Sequence, residues 1–147
     1  MEIRRTTASD APKIAAMEAE CFSDAWGEED ILAYISSELA MCYSATDGKE
    51  LIGYILGRKI PPESEIYRIA VKESHRQRGV GSRLLAYAIR CEEREGVENI
   101  FLEVREQNLA ARRLYTSGGF SEIGVRKNYY KNPTDNAIIM VYGEKCQ

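Results

Sequence analysis

The sequence predicts a single α/β domain, spanning residues 1–147, with a mixed, mostly antiparallel sheet and helices on both faces. Its composition, 44% hydrophobic and 29% charged residues, is that of a globular chain long enough to bury one sizeable core. Strand and helix patterns alternate without a linker or an internal repeat. The order strand, helix, strand, helix, strand over residues 66–126 predicts a parallel strand pair at the centre of the sheet.

The first half of the chain is predicted to contain four strands and two helices. The strands are expected at 1–5, 41–46, 51–60 and 66–71, with a hairpin turn at Asp47-Gly48. A first helix begins near Ser9-Asp10-Ala11-Pro12, where a capping side chain precedes a proline in the first turn. A second helix is expected from residue 28 to about 37, because acidic residues fill its first turn and apolar ones repeat at helical spacing.

The second half is predicted to contain two helices and three strands. Val80, Leu84, Leu85 and Ala88 give one helix its apolar face, and Gly96 marks its end. A strand follows at 100–104. Asn108 then caps a helix that Gly118-Gly119 ends, and the last two strands are expected near 120–126 and 137–142.

The turn between the strand at 66–71 and the following helix predicts an anion site. The strand ends Ile69-Ala70-Val71, a polar loop follows, and Gly79 and Gly81 stand at the start of the helix. A helix N-terminus presents amide N–H groups without intrahelical partners, and the helix dipole adds positive charge there. Arg76 and Arg78 add full positive charges beside these donors. A pyrophosphate is therefore the expected ligand.

Two other interpretations of this turn stay open from the residues alone. The glycines could serve only for close packing of the helix against the sheet. A dinucleotide-binding turn is the other alternative, because the acidic Glu103 lies about twenty residues beyond Gly81. The third glycine of that motif would fall at Leu84, however, and its first should follow the strand directly, so the dinucleotide interpretation is disfavoured.

Glu103 and Tyr115 are the candidate catalytic residues. Glu103 interrupts the run Ile100-Phe101-Leu102-Glu103-Val104, which has the pattern of a strand buried on both faces, where a carboxylate is costly unless paired or in a polar cleft. It is either a base or half of a strand-end salt bridge, with Arg105 or Arg68 as partner. Tyr115 lies two helical turns after Asn108 and shares its face, although a tyrosine on a helix is more often a core residue.

Charge and cysteine usage exclude several classes of protein. The formal net charge of −3 does not suggest a general nucleic-acid binder, although basic residues cluster at 72–78 and again at Arg126, Lys127 and Lys131. This second cluster is either a solvated rim or a contact for phosphates or an acidic partner. Four cysteines without a Cys-x-x-Cys motif, accompanied by one histidine, indicate neither a metal site nor a disulfide framework.

We expect Cys21, Cys42, Cys91 and Cys146 to be packing residues. The sequence shows no signal-peptide pattern and no apolar run near eighteen residues. A cytoplasmic protein that binds neither membrane nor nucleic acid is therefore expected.

The motif Arg76-x-x-Gly79-x-Gly81 after a strand ending Ile-Ala-Val resembles the acetyl-CoA signature of the GCN5-related N-acetyltransferase (GNAT) superfamily. The resemblance extends over essentially the whole chain. The run from Leu102-Glu103-Val104-Arg105 to Gly119-Phe120, with Asn128-Tyr129-Tyr130 further on, is similar to the branch of ribosomal-protein alanine N-acetyltransferases, the RimI branch. In that superfamily the two central parallel strands splay apart, and the acyl-carrying arm of the co-substrate lies in the gap.

The resemblance implies a role for each matching residue. Glu103 would be the proton acceptor and Tyr115 the proton donor, and no metal would take part. The residues implied to contact acetyl-CoA come from the end of the strand, the turn and the cap of a later helix. They are Ile69, Ala70, Val71, Arg76, Gln77, Arg78, Gly79, Val80, Gly81, Ser82 and Asn108.

The implied function is transfer of an acetyl group from acetyl-CoA to a protein N-terminus, with the N-terminal alanine of a ribosomal protein as the expected acceptor. Two departures from the family pattern bear on the acceptor: Ala25-Trp26-Gly27 replaces Pro-Trp-Ser, and Asn136 replaces an acid. An acetyltransferase for lysine or a small-molecule amine would share the chain up to Asn108, and the Asn128-Tyr129-Tyr130 segment disfavours it. A non-catalytic CoA-binding domain need not have Glu103 and Tyr115.

Overall fold

A computed structural model, which describes residues 1–143, contains one seven-stranded sheet with four α-helices packed on it. The strands are β1 (Glu2–Arg5), β2 (Tyr43–Asp47), β3 (Glu50–Ile60), β4 (Glu63–Val71), β5 (Asn99–Arg105), β6 (Ser121–Tyr130) and β7 (Asp135–Tyr142). The helices are α1 (Ala11–Cys21), α2 (Glu28–Ile35), α3 (Val80–Arg94) and α4 (Leu109–Ser117). The strand order across the sheet is β1-β2-β3-β4-β5-β7-β6.

The parallel pair predicted at the sheet centre is formed by β4 and β5. It runs from Glu63 opposite Asn99 to Ile66 opposite Leu102, and beyond this point the strands are no longer paired. All the other neighbouring strands pair antiparallel. The unpaired C-terminal ends of β4 and β5 leave a gap in the middle of the sheet.

Two apolar clusters cover the two faces of the sheet. The larger one joins α3 and the α4 residue Tyr115 to apolar side chains of β2 to β5 and β7. The smaller one joins α1 and α2 to residues of β3 and the C-terminal end of β4. The mixed α/β architecture with helices on both faces is thus confirmed, and so is the splayed central pair.

A β-bulge in β4 redirects side chains toward the gap. Leu56 of β3 pairs with Arg68 and the next residue, Gly57, pairs with Ile66, so Tyr67 is an extra residue without a partner. A bulge changes which face the following side chains point to. Ile66 therefore contacts the α3 side, whereas Arg68 ion-pairs with Glu18 of α1 on the opposite side.

The predicted elements are all present, with small differences at their ends. β4 begins at Glu63, β6 continues to Tyr130, and a 3-10 turn, Ala8–Asp10, precedes α1. The pairing of Tyr130 with Asp135 extends β6 and β7 beyond the apolar runs by which they were predicted. The interpretation of β5 as buried on both faces is wrong: Ile100, Leu102 and Val104 are buried, whereas Phe101, Glu103 and Arg105 are partly exposed.

Candidate active site

A cleft of about 730 Å³ lies where β4 and β5 diverge. Its walls come from β4, β5, α4, the loop between α1 and α2, and the loop between β6 and β7. Four of the residues predicted from the sequence line this one cleft: Ile69, Glu103, Asn108 and Tyr115. Residues far apart in the chain are therefore brought together at the gap.

Glu103 enters the cleft from the face of the sheet that α1 and α2 cover, opposite to the face of its neighbours Leu102 and Val104. Its side chain is 26% exposed, and its Oε2 atom lies 3.0 Å from Nε of Arg126. The N–H groups of Arg126 do not point along this contact, so Oε2 is buried without a hydrogen-bond donor among residues 1–143. The partner of Glu103 is thus Arg126 of β6, and not Arg105 or Arg68 as considered from the sequence.

Tyr115 approaches the cleft from the opposite side of the sheet. It lies on α4 within the larger apolar cluster, is 5% exposed, and packs against the tilted ring of Phe120. Burial, with a smaller contribution from Tyr130, raises the pKa of its hydroxyl well above the ordinary value for tyrosine. Its hydroxyl therefore stays protonated at neutral pH, which suits a proton donor.

The backbone of β4 offers a further donor in the gap. Lys72 donates its N–H to the carbonyl of Ile52 on β3. Because hydrogen-bonding direction alternates along an antiparallel strand, the N–H of the preceding residue, Val71, points away from β3. It therefore points toward the side on which β5 has diverged. The N–H of Ile69 has the same direction by the same alternation.

The glycine turn lies next to this gap and has the geometry of an anion site. Gly79, with φ +79°, is the N-cap residue of α3, and no side chain among residues 1–143 caps that helix. The amides of Val80, Gly81 and Ser82 precede the first intrahelical bond, from Arg83 to Gly79, so they are available to a ligand. Gln77 also adopts a positive φ of 62°.

The remaining residues predicted for the turn differ in what they can contribute. Arg76 is held near it, because its Nε donates to the carbonyl of Val71 at 2.9 Å. Arg78 is exposed. Ala70 and Val80 are buried in the two apolar clusters, so only their backbone atoms could contact a ligand.

Two tyrosines form the wall opposite α1 and α2. Tyr129 and Tyr130 make an edge-on pair with ring centroids 5.1 Å apart, and both line the cleft. Arg105 holds this wall: its guanidinium lies 4.5 Å from the centroid of the Tyr130 ring and donates hydrogen bonds to the carbonyls of Lys131 and Pro133. Burial, followed by the charge of Glu103, raises the pKa of Tyr130 to about 12.

Asn136, one of the two departures from the family pattern, supports the same wall. Its Oδ1 accepts the N–H of Asn128 at 2.9 Å, and its Nδ2 donates to the carboxylate of Glu106 at 2.9 Å. Asn128 adopts a positive φ of 54° immediately before the two tyrosines. An amide is the side chain that can accept from one neighbour and donate to the other.

The loop between α1 and α2, which contains the departure Ala25-Trp26-Gly27, closes the other side of the cleft. Arg68 lies 3.2 Å from the buried carboxylate of Glu18 and 2.9 Å from the exposed carboxylate of Asp24. Its guanidinium stacks 4.1 Å from the ring centroid of Phe22. The backbone N–H of Trp26 donates to Glu18. The loop is thus fixed to β4 by one arginine, a contact that no sequence pattern indicated.

Glu65 is a second carboxylate in the cleft that sequence reasoning missed. It lies on β4 opposite Phe101, two residues before Glu103 on the neighbouring strand. Burial, and then the charge of Glu103, raise its pKa above the ordinary value for a glutamate, while Arg58, the hydroxyl of Tyr67 and Arg126 act in the opposite direction. The sequence signal was weak, because alternate polar residues are ordinary in a half-buried strand.

Residues 1–143 contain no group of three His, Cys, Asp or Glu side chains arranged to hold a metal ion. In the same part of the chain, Cys21, Cys42 and Cys91 are free thiols, and Cys146 lies outside the described residues. No helix described here has the length and apolar character needed to cross a membrane.

Comparison with known protein families matches residues 11–120 to the Acetyltransferase (GNAT) family. Among curated proteins, the chain is 37% identical over 140 residues to the N-alpha-acetyltransferase RimI of Mycobacterium tuberculosis, covering 91% of this chain and 87% of that one. It is 31% identical over 134 residues to the [ribosomal protein bS18]-alanine N-acetyltransferase of Escherichia coli, covering 90% of each.

Among solved structures, the ribosomal-protein-S18-alanine N-acetyltransferase of Escherichia coli superposes with a TM-score of 0.88 at 29% identity, over 96% of this chain and 92% of that one. Ard1 from Thermoplasma volcanium superposes with a TM-score of 0.85 at 26% identity, over 95% of each chain. The similarity in sequence and in fold therefore extends beyond the glycine turn to the strands and loops on the other side of the cleft.

Proposed function

The chain belongs to the GNAT acetyltransferase family, and from this premise we propose that its single domain acetylates the α-amino group of a protein N-terminus, specifically an N-terminal alanine on a ribosomal protein. The observation that carries the proposal is the arrangement of Glu103 and Tyr115, which reach one cleft from opposite faces of the sheet. The RimI-type relatives, which act on ribosomal protein bS18 or on α-amino groups, support the choice of acceptor.

Acetyl-CoA fits the residues available on the α3 side. The uncapped N-terminus of α3 would hold its pyrophosphate through the amides of Val80, Gly81 and Ser82, with Arg76 and Arg78 adding positive charge. Asn108, whose Oδ1 caps α4 by accepting the N–H of Ala111, lies on the cleft wall beside the path of the acyl arm. When bound, acetyl-CoA supplies an acyl group activated as a thioester.

The protein's own groups would then move two protons and stabilise one charge. The acceptor must lose a proton, and an α-amino group of pKa about 8 needs only a modest base for this at neutral pH. Glu103, directly or through a water molecule, takes that proton. The N–H of Val71 donates to the carbonyl oxygen under attack, and the hydroxyl of Tyr115 holds the proton that the leaving sulfur requires.

The proposal is tested with a panel of peptides that differ in their first residue, assayed with acetyl-CoA by mass spectrometry. Peptides beginning with alanine should react faster than those beginning with leucine or phenylalanine, because a pocket closed around a methyl group discriminates by size. A peptide with a blocked N-terminus and an internal lysine should react far more slowly, since a lysine of pKa about 10.4 is almost entirely charged at neutral pH. Comparable rates on the lysine peptide, preference for a polyamine, or no transfer at all would contradict the proposal.

A further inference from the structure

Two carboxylates of the central strands line the cleft, and the mechanism above uses only one of them. A third carboxylate in the lining, that of Asp24, is paired with Arg68. Glu65 and Glu103 lie on adjacent central strands, Glu65 opposite Phe101 and Glu103 two residues further along β5. Successive side chains of a strand point to opposite faces, so Glu65 and Glu103 share one face of the sheet, and paired strands are only about 4.8 Å apart. Glu103 is the first residue of β5 beyond the paired segment, where the strands begin to diverge. Both line the cleft.

The positive charge near the pair is directed at Glu103. Nε of Arg126 lies 3.0 Å from the Glu103 carboxylate, and within residues 1–143 no lysine or arginine nitrogen lies at ion-pair distance from Glu65. Arg58, which is paired with Glu65 in the strand register, and Arg126 affect Glu65 only as more distant charges. The hydroxyl of Tyr67 also favours the ionised form of Glu65, because it lowers the pKa of that carboxyl.

A partly buried carboxylate beside another carboxylate is unfavourable unless a cation joins them. Burial and the charge of Glu103 both raise the pKa of Glu65, which means that its ionised form is destabilised in the free protein. A ligand that brings a positive charge into the cleft would relieve this destabilisation. The acceptor in the proposed reaction carries such a charge, because its α-amino group is mostly protonated when it arrives.

We propose that Glu65 is the residue that binds the N-terminal ammonium of the acceptor, and that it holds this group beside Glu103 before the proton is removed. The inference rests on the proposed function and assigns the two carboxylates separate roles. Glu65 contributes to acceptor binding, and Glu103 accepts the proton. The bulge at Tyr67 lies beside the same pair, and the Tyr67 side chain lines the cleft with its ring 6.2 Å from that of Trp26.

The test measures recognition of charge without turnover. Two peptides with the same sequence, beginning with alanine, are compared in the presence of CoA: one has a free N-terminus and the other is N-acetylated. At pH 6.5 the parent protein should bind the free peptide about tenfold more tightly, which corresponds to about 1.4 kcal/mol. Glu65→Gln should reduce this preference to less than twofold, and at pH 9.5, where the amine is mostly neutral, the parent should lose most of it as well.

Two further variants control for folding and for general charge. Glu93→Gln removes the same charge from an exposed position on α3 and should keep the tenfold preference. Tyr67→Phe keeps Glu65 but removes the hydroxyl that lowers the pKa of Glu65, so less of Glu65 is ionised and the preference should fall about twofold. Affinity for CoA, measured in every variant, reports on folding.

The outcomes separate this inference from the proposed function. If the parent acetylates peptides but Glu65→Gln keeps the full preference for the free N-terminus, the role of Glu65 is wrong and the proposed function stands. A parent that acetylates peptides without any preference for the charged form would also contradict the role. If the parent acetylates no peptide, the proposed function itself fails, and the role of Glu65 fails with it.

Discussion

The two sides of the cleft are built in different ways. The side next to α3 is a contiguous segment whose donors are backbone amides, shaped by Gly79 with its positive φ. The side next to β6 and β7 is held by side chains from separate elements, with Arg105 of β5 bonded to the loop beyond Tyr130 and Asn136 of β7 bonded to Glu106. A local backbone site depends on a few residue types, whereas a side-chain network depends on pairs of residues that must match.

The largest effect is expected at the junction of the two sides. Glu103→Gln keeps the shape of the side chain but removes the base, so the acetylation rate on an alanine peptide should fall about a hundredfold near neutral pH. The rate should recover in part as the pH rises toward the pKa of the amine, about 8, because the acceptor then loses its proton to solvent. The pH dependence of kcat/KM measures both effects.

A matched control for this variant is Glu122→Gln, which removes a carboxylate on β6 that ion-pairs with Arg112. It should leave the pH profile unchanged. If Glu103→Gln retains both the height and the shape of the parent's profile, Glu103 serves only as the ion-pair partner of Arg126. The chemistry would then have to be assigned to another group in the cleft.

The second prediction concerns the α3 side alone. Gly81→Asp places a negative charge at the turn, so affinity for acetyl-CoA should fall at least tenfold, which corresponds to about 1.4 kcal/mol. A Cβ atom at this position would lie 3.4 Å from the nearest side-chain atom of Leu114, an ordinary contact. Gly81→Ala should therefore fold normally and bind acetyl-CoA much more tightly than the aspartate variant, as measured by calorimetry.

Equal affinities of the aspartate variant and the parent would contradict an anion site at this turn. Tight binding of a nicotinamide dinucleotide by the parent would instead favour the dinucleotide interpretation. Gly81→Ala separates a loss of acetyl-CoA affinity caused by the negative charge from a loss caused by the added side chain. Binding of a peptide that begins with alanine should be unaffected in either variant, because we expect the peptide at the wall formed by Tyr129 and Tyr130, on the other side of the cleft.

The difference between the two sides also explains what the sequence could predict. The strand, the turn and the helix around Gly79 follow from periodicity and local glycine chemistry, and the seven strands and four helices were all placed within a few residues. Asn108 was predicted to cap α4 and does so. These features depend on residues close together in the chain, which is why local rules suffice.

The missed features depend on long-range contacts. The ion pair of Glu103 with Arg126 joins β5 to β6 across β7, so it depends on the strand order of the sheet. The contacts of Arg68 with α1 depend on the bulge in β4. Neither the strand order nor a bulge has a sequence signal of its own here. Glu65 was missed for the same reason, since its proximity to Glu103 depends on the parallel register.

The smallest effect is expected on the side-chain network. Asn136→Asp can still accept the N–H of Asn128, but it loses the hydrogen bond to Glu106 and places two carboxylates together. We expect KM for the alanine peptide to rise about fivefold, which corresponds to about 1 kcal/mol, the usual net value of one such hydrogen bond. Affinity for acetyl-CoA should not change, because the network supports the end of β6 that carries Tyr129 and Tyr130, away from the glycine turn.

The double variant Asn136→Asp with Glu106→Gln decides whether this effect comes from the pair. The glutamine amide can donate to the new aspartate, which restores the bond with its direction reversed, so KM should return to within about twofold of the parent value. Glu106→Gln alone should be only mildly impaired, since Asn136 can donate to its amide oxygen. If the double variant is as impaired as Asn136→Asp, or if both of these variants affect kcat and not KM, then Asn136 and Glu106 do not position the wall formed by Tyr129 and Tyr130. Substitutions of Asn136 and Glu106 would then affect peptide binding no more than substitutions at ordinary surface positions.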